Sequence, residues 1–200
     1  TSFVLPQSPY QGAYATWITY IELGLVHLLG GLDHLLFVLL LMLMISSFRQ
    51  LLIAVTAFTV SHSITLALAT LGLFSIPTAP TEALIALSIV FLAAEQLKGV
   101  LPSIQRIWAM AFCFGLLHGF GFAGALQDVG VPSDKAPLAL FGFNLGVELG
   151  QVCFVSLLYI PLQFVRRRTQ EFPSWAHAIP GYAVGIAATH WTAQRLTFLF

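Results

Sequence analysis

Six side chains call for explanation because their surroundings make them costly. His27, Asp33, His34, His62, His118 and Glu148 all lie inside long apolar runs. On insertion scales an ionisable group in hydrocarbon costs roughly 3 kcal/mol, so such residues are functional candidates by default. Their types narrow the chemistry. Imidazole with carboxylate suits nickel, cobalt, copper or zinc, and no thiolate-rich set competes with it. The two carboxylates would offset a divalent charge where the dielectric is low. Such ligands bind metal only when deprotonated, so protons compete for the same atoms and provide a route to release and to proton coupling.

Spacing places these residues on faces. His27 and His34 are two helical turns apart and share a stripe. Asp33 points elsewhere on an ideal helix, unless Gly30-Gly31 re-aims it. Asn144, Glu148 and Gln151 follow an i, i+4, i+7 pattern and form one polar stripe. His62 shares a face with Thr65 and is flanked by Ser61 and Ser63. By depth in their spans, His34, His62, His118 and Glu148 fall together near the midplane, which predicts one shared site. A path to that site would use Glu22, Asn144 and His190 as an outer vestibule, Ser61, Thr65 and Gln151 along the way, and Glu95 towards the inner end. Plainer roles compete. His190 and His177 can be packing histidines, Glu22 can lie at the surface, and Glu95 can snorkel beside Lys98. Glu82 can cap the start of a span. The hydroxyls beside His62 can bond backbone carbonyls.

The elements that must position these groups are membrane helices. Of 200 residues, 58% are hydrophobic and 8% charged, against about a quarter charged in an average soluble domain. Lipid must therefore be the solvent for much of the chain. A span needs about 20 mostly apolar residues. The expected fold is all-α, a single polytopic bundle of about six transmembrane helices. Their bounds are about 15–45, 51–71, 81–97, 107–126, 137–164 and 175–196. The first is too long for one straight crossing, and Gly30-Gly31 predicts a tilt, kink or break in its middle. Pro77, Pro80, Pro102, Pro132, Pro137 and Pro173 punctuate the loops.

Arg49, Lys98, Arg106, Arg166, Arg167 and Arg168 fall on one side, and Lys135 and Arg195 on the other. The positive-inside rule then puts both termini outside a bacterial cytoplasmic membrane. Thr1 at the start fits a removed signal peptide or a trimmed chain equally. Eight basic residues balance eight acidic ones, which gives no argument for nucleic acid. Cys113 and Cys153 sit in apolar runs without a C-x-x-C pattern and read as buried small residues. The expected partners are the bilayer, a metal ion, and a second copy or a larger membrane complex.

Two internal alignments conflict. Gly24-Leu25-Val26-His27 resembles Gly115-Leu116-Leu117-His118, as an inverted repeat of two three-helix halves would. The rival pairs His62, Pro80 and Glu95 with His118, Pro137 and Glu148. The run from His118 to Gly124 alternates small and aromatic residues, which suits close helix packing or irregular backbone beside a pore.

Three functions fit. The first is a permease for a divalent transition metal. The second is an intramembrane zinc hydrolase, with three histidines and Asp33 on zinc and Ser61 or Glu148 in acid-base work. No G-x-S-x-G elbow accompanies it, and polar groups spread over several helices suggest a path more than a pocket. The third is a non-transporting metal-binding subunit or sensor of a membrane complex. No nucleotide-binding motif is present, so ATP drive would need another subunit.

Four runs, in order, resemble the HupE/UreJ family: His27-Leu28-Leu29-Gly30-Gly31-Leu32-Asp33-His34, Phe58-Thr59-Val60-Ser61-His62-Ser63, Phe114-Gly115-Leu116-Leu117-His118-Gly119 and Phe143-Asn144-Leu145-Gly146-Val147-Glu148. Leu28 stands where many members have proline. The resemblance implies a secondary transporter of nickel or cobalt, linked to hydrogenase and urease maturation. It implies metal roles for His27, Asp33, His34, His62, His118 and Glu148.

Overall fold

The computed structural model describes residues 12–74, 76–99, 102–129, 135–168 and 174–197. Thr1, Pro132 and Pro173 fall outside the described residues, as do the side chains of Arg166, Arg167, Arg168, Trp175 and His177. The described chain is helical, with no strand: α1 (Ala13–Gly30), α2 (Leu32–Met44), α3 (Phe48–Thr70), α4 (Thr78–Leu97), α5 (Ile104–Val129), α6 (Ala136–Arg168) and α7 (Ser174–Thr197).

The long first segment is two helices. Gly31 leaves helical geometry at φ −88°, ψ 88°. Its N–H still closes α1 on the carbonyls of His27 and Leu28 at 2.9 and 3.2 Å. Its own carbonyl starts α2 by accepting from His34 and Leu35 at 3.0 and 3.2 Å. The two axes differ by 73°. Three helices, α3, α4 and the Ala136–Phe164 part of α6, are long and apolar enough to cross a membrane, and the bent α1–α2 pair makes a fourth. The expected count of about six fits loosely, since α5 and α7, over their described residues, do not meet that measure. Pro80 lies in the first turn of α4, not in the preceding loop; the first-turn N–H groups have no intrahelical acceptor, so proline costs little there.

Glycines set which helices touch. A Cβ on Gly24 of α1 would collide with the backbone at Phe143 of α6, and one on Gly146 of α6 with the backbone at Ile21. Trp17, Ile21 and Leu28 meet Gly142, Gly146 and Gly150 in the same order, so α1 and α6 run parallel. On α5, Gly115 lies against Phe58 and Ser61 and Gly119 against His62 and Thr65, so α3 and α5 are parallel too. Gly181 and Gly185 of α7 meet Leu97 and Ala93 of α4, an antiparallel pair. Removing Cβ atoms lets backbones approach where apolar burial gives no drive between helices in lipid.

These contacts choose between the internal alignments. If α1, α3 and α4 are repeated inverted as α5, α6 and α7, the parallel α1–α6 contact must recur as α5–α3, and α4 and α7 must run antiparallel. Both hold, and Gly24 and Gly115 both press on the carbonyl of a phenylalanine. His27 and His118 are then equivalent positions, and the pairing of His62 with His118 is not followed.

Two apolar clusters flank the middle of α3. Phe58 belongs to the larger, with Phe37, Leu41, Leu51, Ile89 and Leu92. Leu66 belongs to the smaller, with Tyr20, Leu28, Phe143 and Val147. His62 sits one turn from each. Large apolar side chains also cover the outside, with Leu157 71% and Ile186 70% exposed, as a lipid-facing surface requires. Cys113 and Cys153 are exposed, contrary to the buried reading, since an apolar run in a membrane helix has a lipid-facing side as well as a packed one.

Candidate metal centre

The bend at Gly31 brings His34 back onto His27. Their ring centroids are 4.8 Å apart. His62 comes in from α3, 6.2 Å from His27 and 5.8 Å from His34. One ligand atom of each of these three residues lies within 4.8 Å of the other two. His118 of α5 stands beside them, its ring 5.0 Å from that of His34. His34, His62 and His118 are buried, and His27 is half-buried.

Two outer hydrogen bonds aim two of the rings. Nδ1 of His118 donates to the Phe114 carbonyl at 2.8 Å. A carbonyl only accepts, so the proton is on Nδ1 and the lone pair on Nε2. Asn144 Nδ2 donates to the Leu140 carbonyl at 2.8 Å, which assigns Oδ1 to the side facing His62. His62 Nδ1 donates to that oxygen at 3.3 Å and also keeps its Nε2 lone pair free. The Nε2 atoms of His27, His34, His62 and His118 are all buried, and none has a hydrogen-bond partner among the described residues. A buried polar atom without a partner costs about 1–3 kcal/mol, so four in one cluster are a large expense for packing alone. Imidazole with its far N–H bonded and its near nitrogen bare is how proteins prepare metal ligands.

Aromatic rings close the surroundings. Phe122 lies 3.7 Å from His27 and stacks at 5.1 Å on Phe143. Phe58 and Phe37 lie 5.0 and 5.6 Å from His118. The alternation of glycine and phenylalanine after His118 was the only sequence sign of this collar.

The polar stripe of α6 faces α3. Glu148 Oε1 accepts from Thr56 Oγ1 at 2.6 Å, and Gln151 Oε1 accepts from Thr59 Oγ1 at 2.7 Å. Glu148 Oε2 and Gln151 Nε2 are buried without a partner among the described residues. Thr56 and Thr59 were missed on the sequence because a threonine in an apolar span is common. Ser61 and Thr65 bond carbonyls of their own helix, Phe58 at 2.9 Å and His62 at 3.2 Å, and press on Gly115 and Gly119.

The remaining candidates lie elsewhere. Asp33 is not one of the three clustered ligands; its Oδ2 pairs with Arg195 Nη2 at 2.9 Å. Glu82 is no cap: it lies beyond the first turn of α4, with Oε2 3.7 Å from Arg195 Nε. Glu95 pairs with Lys98. Glu22 is exposed on α1. His190 lines a groove between α4 and α7 with Val90, Ala93 and Tyr182. Asn144 is buried against His62, so its place is behind a ligand.

A family model described as HupE / UreJ protein matches residues 7–195, nearly the whole chain. No curated protein and no solved structure gives a match.

Proposed function

The chain belongs to the HupE/UreJ family, and on that footing we propose that it is a secondary transporter of a divalent transition-metal cation, nickel or cobalt, with His27, His34 and His62 as its central ligands and His118 beside them. The family is associated with nickel and cobalt transport. The observation that carries the reading is the set of four buried Nε2 atoms without partners, two of them on rings whose Nδ1 is held by Phe114 and Asn144. Neutral imidazoles bind the cation inside a phenylalanine collar that excludes water, which replaces its hydration shell without adding fixed charge. A site with few carboxylates holds a divalent ion loosely enough to release it. Glu148, one turn beyond Asn144, supplies the next negative charge along α6, and its free Oε2 suits it to receive the ion or a proton.

Uptake of Co²⁺ into proteoliposomes tests this, with wild type against His34→Ala and Glu148→Gln. The expected result is loss of uptake in the first and slowed uptake in the second. Uptake that neither substitution reduces would sink the reading. Absence of uptake with one tightly held zinc per chain would point to the hydrolase instead.

A further inference from the structure

One charged cluster beside the histidines has no part in the reading above. Arg195, in the last turn of α7, reaches two other helices. Its Nη2 pairs with Asp33 Oδ2 at 2.9 Å, at the start of α2. Its Nη1 donates to the Glu82 carbonyl at 3.0 Å, and its Nε lies 3.7 Å from Glu82 Oε2 on α4. This single guanidinium thus sits between two carboxylates. It also lines a cavity of about 440 Å³ with Gly30, Gly31, Asp33, Trp191 and Gln194. Gly31 links that cavity to the histidine site: a Cβ there would lie 3.0 Å from His34 Nδ1.

A tie between helices needs no cavity. Here the fixed positive charge stands in one, a single residue from a ring of the cluster. In that position it repels a divalent cation and offsets the Asp33 carboxylate, which would attract one. Asp33 and Arg195 are 20% and 24% exposed. The pair is only partly buried, and separating it costs less than separating a fully buried one.

We propose that Arg195 is a charge gate on the cavity beside His34: its guanidinium holds Asp33 between passages and leaves it when a divalent cation enters. The proposal rests on the transport reading. Gate opening exchanges one cation for another at the Asp33 carboxylate, so the carboxylate is never left buried with no counter-charge. Arg195 acts on the site through Asp33 and is a selectivity residue; it is not a ligand.

Gate and tie differ in sign. A tie predicts that Arg195→Gln and Asp33→Asn do the same thing, since both break one bond. A gate predicts opposite shifts. The full chain in proteoliposomes is assayed for Co²⁺ uptake, and in detergent for Co²⁺ binding by its visible absorption. Arg195→Gln is expected to lower the half-saturating Co²⁺ concentration by about tenfold, the scale of one partly screened charge at a few ångströms. Asp33→Asn is expected to raise it, and Arg195→Lys to stay near wild type. Arg195→Met keeps the aliphatic length and gives the same reading should the glutamine variant fail to fold. Shifts in the same direction, or no shift for Arg195→Gln and Arg195→Met, overturn the gate. If wild type takes up no Co²⁺, the transport reading falls, and opposite shifts in binding still support Arg195 as the charge that controls access to the histidines. Uptake that depends on His34 together with same-direction shifts removes the gate and leaves the transport reading standing.

Discussion

Asp33 and His34 are neighbours in the chain and belong to opposite kinds of polar cluster. On the Asp33 side the charges are matched: Arg195 meets one carboxylate, approaches a second and donates to a carbonyl. On the His34 side four ring nitrogens are buried and unmatched among the described residues. Both clusters are polar groups inside an apolar bundle, and burial alone would ask for the same solution in each. The difference separates holding from binding. Matched charges hold α2, α4 and α7 together in the resting arrangement. Unmatched nitrogens weaken the fold locally, a cost that the proposed cation would offset.

That contrast can be broken by substitution. The largest effect is expected for His34→Leu, of similar volume. Co²⁺ affinity, read by titration of the purified protein, should fall about 100-fold or more, as expected when a ligand is removed outright rather than one of its outer-shell partners. In the absence of metal, thermal unfolding should not move down, since a buried atom without a partner has been replaced by an apolar one. A clear loss of metal-free stability would make His34 a structural residue and erase the contrast.

Next comes Asn144→Ala. It removes the acceptor that aims His62, and loss of such an outer partner weakens metal binding by about 10–100-fold. Unchanged affinity would mean that packing alone orients the ring. The smallest effect is expected for Asp33→Asn on stability, roughly 0.2–1 kcal/mol by chemical denaturation, because the pair is partly exposed. A loss several times larger would show that the matched cluster is buried in effect, and would strengthen the division between the two.

Much of this was legible in the chain. The apolar runs locate the helices, and Gly30-Gly31 marks the break. The two glycines are not equal. A Cβ on Gly30 meets nothing within 4 Å, whereas one on Gly31 would press on the His27 carbonyl and on His34 Nδ1 at 3.0 Å. A shared stripe for His27 and His34 presumes one continuous helix, whereas they meet because the chain bends by 73° at Gly31; common depth pointed to His62 and His118. Direction was not legible. Asp33 belongs to the same motif as His34 but follows the phase of a helix that starts anew at Gly31, which turns it to Arg195. Arg195 itself entered the sequence reading only as a positive charge near an end, since its partners lie on helices remote in the chain. The topology was equally hidden: glycines can be read, but the helix each will press against cannot.

The glycine faces also bear on how the protein is made. Gly24 of α1 finds its partners at Phe143 and Val147, and Gly150 of α6 closes on Leu28. Between Gly24 and Gly150 the ribosome adds 126 residues (150 − 24), about 6–25 s of synthesis at about 5–20 residues per second. Until then the first helix waits in the membrane with its contact face turned to lipid or to the insertion machinery. His27 waits with it, one turn from Gly24, without the Phe143 ring of α6 that later lies 5.4 Å from its own. Late closure of this pair leaves the surroundings of His27 unfinished until α6 is made, so a chain arrested before α6 would be inserted in the membrane with its α1–α6 contact unmade.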